Sequence, residues 1–397
     1  AFCAAGQAMA ELFTAGCIGS LTVNKGFLDT PMVQTLAKTN FSILLPMFYL
    51  TAIMKTINSF GFTKSAVSVP ILAIVQSIAM YFVSKFLILP LFGIPSDENG
   101  KATASEVVEG RATTVCCTFG NSGVIPLIFS EALFRNNPTL LMSAYAQVSL
   151  YLAGWSPLFW GFGKNALIGA ETDGISRKDG KSGGIKAQIG KLKGLFPPPV
   201  VGTFIGLFVS SIVPLRKLFM SAAGSSVVSS RAPLEVVYNC LENLGRAANP
   251  LALLVLTASL ALQRSGSSSK PSIEYTGEDT AGGEEKADVG FLVRRILCVS
   301  LARFVVSPAL MMGLLLLASS SPINIIGGIG VDSMAWFILM LQAAMPPAQN
   351  AVLMLQVAEK TKEASRLARF LFSMYVVAML PVVLIATFLL EKCSLIL

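Results

Sequence analysis

The sequence predicts an all-α integral membrane protein of ten transmembrane helices, arranged as two inverted five-helix repeats whose fourth and ninth spans are broken and cross. Three observations lead there. Hydrophobic residues make up 53% of the chain against 13% charged, with a mean hydropathy of +0.68, far from the balance of a soluble domain. Apolar runs long enough to cross roughly 30 Å of hydrocarbon recur along the whole length. Within two of those runs, Gly120-Asn121-Ser122-Gly123-Val124-Ile125-Pro126-Leu127 and Met345-Pro346-Pro347-Ala348-Gln349-Asn350-Ala351 bring Pro and Asn into otherwise spanning sequence. Proline removes a backbone donor and clashes with the preceding turn, and a bilayer core gives the freed groups no partner. Such breaks survive where protein or a water-lined cavity receives them, and paired breaks in corresponding halves point to a transporter's substrate site.

The spans fall near residues 3–22, 34–56, 67–94, 107–134, 139–165, 196–213, 234–263, 291–318, 332–358 and 364–390. The chain opens inside the first apolar run, so that span is expected to be cut short, and no cleavable signal is indicated. The expected organisation is a first repeat over 1–165, a cytosolic linker over 166–194 rich in Gly and Lys, and a second repeat over 195–397. Residues 265–288, rich in Ser, Gly and Glu, read as a flexible cytosolic loop, since they carry too little apolar surface to fold alone.

Charge gives the orientation. With the amino terminus on the outer or luminal side, the inner loops collect eighteen Lys and Arg and the outer side seven, which the positive-inside rule favours. The net charge of +8 is therefore an orientation signal and implies no nucleic acid. The seven Cys are scattered without metal-ligand spacing, and the chain has no His, so neither a metal nor a cofactor is expected, and a hydrolytic enzyme is disfavoured.

The two halves also resemble each other. Ser84-Lys85-Phe86-Leu87-Ile88-Leu89-Pro90 matches Ala302-Arg303-Phe304-Val305-Val306-Ser307-Pro308, with a cation, a Phe and a Pro at identical offsets. The helix breaks then follow at similar distances, at Pro126 and Pro346. Five spans per unit is an odd number, so the second copy must be upside down.

These residues are similar to the auxin efflux carrier family of PIN-FORMED and PIN-LIKES proteins. The resemblance covers nearly the whole chain, including Lys25-Gly26-Phe27-Leu28-Asp29, Phe196-Pro197-Pro198-Pro199, Ile212-Val213-Pro214-Leu215-Arg216 and Asn249-Pro250-Leu251-Ala252. The form Gly120-Asn121-Ser122-Gly123-Val124-Ile125-Pro126-Leu127 with Pro346-Pro347-Ala348-Gln349-Asn350 resembles the PIN-LIKES branch, Val124 departing from it where many members carry a second Asn. The resemblance implies a scaffold of spans one, two, six and seven, a mobile transport part from the others, and broken spans crossing near the bilayer midplane. It also implies export, or sequestration into the endoplasmic reticulum, of weak organic acids such as indole-3-acetic acid. The endoplasmic reticulum membrane is the favoured location, with the plasma membrane second; the partners are a small organic anion and the lipid bilayer, and a homodimer is compatible.

A crossing of broken helices suits an anion, because it presents the positive ends of half-helix dipoles and unpaired N–H groups. Asn121, Ser122, Pro126, Pro346, Pro347, Gln349 and Asn350 are the candidate substrate-binding residues there, joined by Tyr145 and Gln147 of the fifth span. Each Asn could instead tie two helices together, at about 1 kcal/mol. Tyr151 and Tyr375 face the same choice between substrate contact and packing. Lys85 and Arg303 are candidate supporting charges, with snorkelling to the interface as the plain alternative. Two rival functions remain: a sodium-coupled organic anion symporter of the bile-acid type, kept open by Glu11 and Glu242, and a membrane sensor that binds without transporting.

Overall fold

The computed structural model describes residues 17–61, 64–95, 104–169, 197–221, 232–266, 281–320 and 332–393, with Ala10, Thr14 and Leu395. Most of the expected first span and residues 170–194 of the expected linker lie outside these residues, as does 267–280 of the expected loop; helix resumes at Ala281.

After a helical stretch over 17–24, twelve helices organise the described chain: α1 (Thr30–Phe60), α2 (Ala66–Leu91), α3 (Ala104–Thr118), α4 (Val124–Phe134), α5 (138–168), α6 (Pro198–Ser211), α7 (Val213–Phe219), α8 (Glu235–Leu262), α9 (Gly290–Ser319), α10 (Ser333–Ala343), α11 (Asn350–Val357) and α12 (Thr361–Lys392). Among the described residues five are long and apolar enough to span a membrane, α1, α2, α8, α9 and α12, and a sixth arises if α6 and α7, bent by 108°, are one span. This count falls short of ten for physical reasons. The fourth and ninth runs are each cut into two half-helices too short to qualify. The fifth is buried on every face from Ala146 to Ser156, so its surroundings do not require a uniformly apolar surface, and it carries Gln147, Ser149, Tyr151 and Trp155.

Exposed apolar side chains mark the lipid-facing helices. On α2, Val67, Ile71, Ile74, Ile78, Phe82 and Phe86 recur at helical spacing, and on α12 so do Val376, Leu380 and Leu384. Small residues join the helices without a hydrophobic drive from water. A Cβ on Gly202 would stand 2.3 Å from the Pro46 carbonyl oxygen, and one on Gly206 2.9 Å from that of Leu50, so this Gly-x-x-x-Gly pair lets α6 lie directly on the backbone of α1.

Three helices carry a wide, π-type turn two residues ahead of a proline: Asn40–Leu44 before Pro46, Ser84–Ile88 before Pro90, and Ala302–Val306 before Pro308. Proline cannot donate to the turn behind it and its ring repels the carbonyl four residues back, so the helix widens there instead of breaking. Two of these turns are the matched heptapeptides of the two halves.

Candidate functional site

Between α3 and α4 the helix stops over residues 119–123, and between α10 and α11 over 344–349. The two breaks pair as a short antiparallel bridge, Gly120 opposite Pro347. The Asn121 N–H donates to the Pro346 carbonyl at 2.7 Å and the Ala348 N–H to that of Phe119 at 3.0 Å. Main-chain groups that a broken helix would orphan are thus satisfied by the other break. Pro126 is the third residue of α4, where a missing N–H costs little. It also keeps α4 from growing backwards, since a donor at 126 would claim the Ser122 carbonyl, which accepts from Gln342 Nε2 at 3.0 Å.

One buried cation holds the other side of the bridge. Arg303 is 2% exposed and donates to carbonyls at the ends of both first half-helices: Thr118 (3.3 Å), Gln342 (3.2 Å) and Met345 (2.8 Å). These are the negative ends of α3 and α10, where a cation is stabilising. Among the described residues no carboxylate pairs with it. Gly120 leaves the room it needs, for a Cβ there would lie 2.1 Å from a guanidinium nitrogen. A polar chain extends the support: Tyr151 OH donates to Gln76 Oε1 (2.9 Å), Gln76 Nε2 to Ser307 Oγ (3.0 Å), and Ser307 Oγ to the Ala343 carbonyl (2.8 Å).

The side of the bridge facing α12 is built differently. Asn121 Nδ2 donates to Tyr375 OH (3.2 Å) and Gln349 Oε1 (3.4 Å), and Tyr375 OH donates to the Pro347 carbonyl (3.0 Å). With its oxygen held by Asn121, the Gln349 amide keeps a buried Nε2, and Asn350 a buried Oδ1 at the start of α11, that have no partner among the described residues. Both α4 and α11 begin beside this bridge, so the positive ends of two half-helices lie at it.

A cavity of about 560 Å³ opens between α1 and α8 on one wall and α4 and α5 on the other. Phe48, Leu127, Tyr145 and Asn249 are among its lining, and Asn249 Oδ1 comes within 3.9 Å of where a Gly123 side chain would begin, so the cavity reaches the break. At the opposite end of the bundle Gln356 Nε2 donates to Ser259 Oγ at 2.9 Å in the interior, and Lys38 pairs with Glu359 at 2.8 Å at the surface.

A family profile described as membrane transport protein matches residues 185–386. The chain belongs to that family, the auxin efflux carriers. Its curated relatives lie on the PIN-LIKES side. The Arabidopsis thaliana protein PIN-LIKES 3 is 23% identical over 273 residues, covering 59% of this chain and 61% of that protein. PIN-LIKES 7 of the same plant is 26% identical over 203 residues, and PIN-LIKES 5 26% identical over 165. These two matches cover 51% and 42% of this chain and 42% and 33% of the relatives. The chain therefore aligns with less than two thirds of each of these relatives.

In this family member, the residues singled out by sequence part into three groups. Asn121, Ser122, Pro346, Pro347, Gln349 and Asn350 meet at the bridge with Pro126 one turn away, Ser122 Oγ being turned onto the Gly120 carbonyl at 3.2 Å. Tyr145 lines the cavity beside Glu131. Gln147 is elsewhere, donating at 2.9 Å to Asp332, the residue that caps the start of α10. Arg303 is central, whereas Lys85 in the matched position is only half-buried, near the face of Phe86. Gln76, Gln342, Ser307 and Asn249 were not singled out. The signal for the two glutamines was available, as each is an amide deep in an apolar run.

Proposed function

We propose that this protein is a secondary carrier that exports or sequesters small organic anions, auxin-like weak acids such as indole-3-acetic acid, by alternating access. Its plan is two inverted five-helix repeats, residues 1–165 and 195–397, joined by a cytosolic linker over 166–194. The matched π-type turns of α2 and α9 support the repeat, and the antiparallel pairing of the two breaks supports their crossing. The observation that carries the reading is the bridge itself: a buried amide donor on Gln349, fixed by Asn121, beside the positive ends of two half-helices and with no acidic side chain among its hydrogen-bonding partners. A carboxylate is the group such a set of donors would hold. The cavity then leads from the outer or luminal face, and the Ser259–Gln356 and Lys38–Glu359 contacts keep the cytosolic side shut. We place the carrier in the endoplasmic reticulum membrane, where a homodimer is compatible with it.

The sodium-coupled alternative loses support at Glu242, whose carboxylate is engaged by both Lys55 (2.9 Å) and Arg246 (3.0 Å), while Glu11 lies outside the described residues. Thermal unfolding of the purified protein tests the ligand class. Indole-3-acetate should raise the melting temperature in proportion to the logarithm of its concentration above Kd, and neutral indole-3-acetamide should do so far less. Equal stabilisation by acid and amide would remove the carboxylate from the account.

A further inference from the structure

We infer that the mouth of the cavity carries a second anion subsite, formed by Lys55 of α1 and Arg246 of α8, which holds a substrate's carboxylate between the bridge and the outer or luminal face. Both cations donate to the same oxygen of Glu242, Oε1, at 2.9 and 3.0 Å. Two cations thus share one carboxylate, leaving this wall with one positive charge in excess. Glu242 is the least exposed of the three at 19%, while Lys55 is 44% and Arg246 67% exposed, so the acid is set back and the cations stand forward. An arginine that spends one nitrogen on Glu242 keeps further donors in its fork for a second carboxylate.

The same face of α8 continues inward. Glu242, Arg246 and Asn249 follow at helical spacing and all line the cavity, and Asn249 is the residue that reaches the break at Gly123. A carboxylate held at Arg246 therefore has an amide one turn further in. The ring of an aromatic acid would lie against Phe48, Leu127 and Met142. Glu131, on the opposite wall, stands beside Tyr145 and adds a repulsive charge that biases an anion towards the α1 and α8 side. The class of ligand is a monocarboxylate with an apolar, ring-sized body.

This subsite rests on the reading of the bridge as an organic anion site, and its test separates the two. Binding of labelled indole-3-acetate to purified protein is measured for wild type, Arg246→Gln, Arg246→Lys and Glu242→Gln. Arg246→Gln brings the wall to neutrality and should weaken binding about three- to tenfold, whereas Glu242→Gln raises the excess to two charges and should tighten it by a similar factor. Arg246→Lys keeps the charge and should stay within about twofold of wild type. Both effects should shrink as salt is raised, and binding of indole-3-acetamide should respond to neither variant. Opposite signs cannot come from a structural ion pair, since breaking that from either side would weaken binding. Should Arg246→Gln fail to fold, the Glu242→Gln result decides alone. Normal wild-type binding with Glu242→Gln unchanged or weaker would overturn the subsite and leave the bridge standing. A wild-type protein that binds no aromatic carboxylate would overturn both.

Discussion

Gly120→Ala is expected to lower stability by about 3–5 kcal/mol and to abolish transport. The added methyl would lie 2.1 Å from an Arg303 nitrogen and 3.2 Å from the Met345 carbonyl oxygen. Flexible side chains often yield to such a clash, but this guanidinium is fixed by carbonyls at Thr118, Gln342 and Met345. Moving it combines overpacking, at about 1–3 kcal/mol, with loss of at least one charge-assisted hydrogen bond, at about 1.5–3 kcal/mol. Gly123→Ala is the control, because its Cβ meets nothing nearer than Asn249 Oδ1 at 3.9 Å. As a helix N-cap it should lose about 1 kcal/mol or less. Melting curves of both purified variants check this, and equal losses would mean that Arg303 does not fill the space beside Gly120.

Asn121→Ala is expected to weaken binding of an organic anion about ten- to hundredfold. The physical route runs through Gln349. Asn121 Nδ2 holds Gln349 Oε1, which fixes the orientation of the buried, unpartnered amide donor, and without it that donor is free to turn. A hydrogen bond to a charged group contributes about 1.5–3 kcal/mol, and each 1.4 kcal/mol is tenfold in affinity. Folding should suffer less, because the main-chain bond from Asn121 to Pro346 stays. Affinity and melting temperature measured on the same preparation separate the roles. A variant that melts early but binds normally would make Asn121 a helix fastener.

Much of this site was legible because backbone chemistry speaks through local sequence. Pro346-Pro347 and Asn121 with Pro126 place helix-interrupting and polar residues inside two apolar runs, so both breaks stood out in the sequence. What closes them was not legible. Asn121 meets Gln349 and Tyr375 across separations of 228 and 254 residues, and no local pattern encodes such a meeting. The fifth helix shows a second limit. Buried on all faces from Ala146 to Ser156, it has no polar stripe there to say which way a side chain points, and Gln147 went to Asp332 while its neighbour-but-one Tyr145 lines the cavity. Lys85 and Arg303 show a third. The same heptapeptide, with the same widened turn, leaves one cation half-exposed and buries the other, which donates to carbonyls at two half-helix ends.

Uptake of labelled indole-3-acetic acid into liposomes containing the purified protein tests the central claim most directly, with potential and sodium gradient imposed separately. One elementary charge moving across 100 mV gains about 2.3 kcal/mol, enough to accumulate an anion about fiftyfold without any coupled ion. The account predicts accumulation driven by an inside-positive potential alone, unchanged by sodium and lost in Asn121→Ala. Accumulation that requires a sodium gradient, or binding without accumulation, would contradict it.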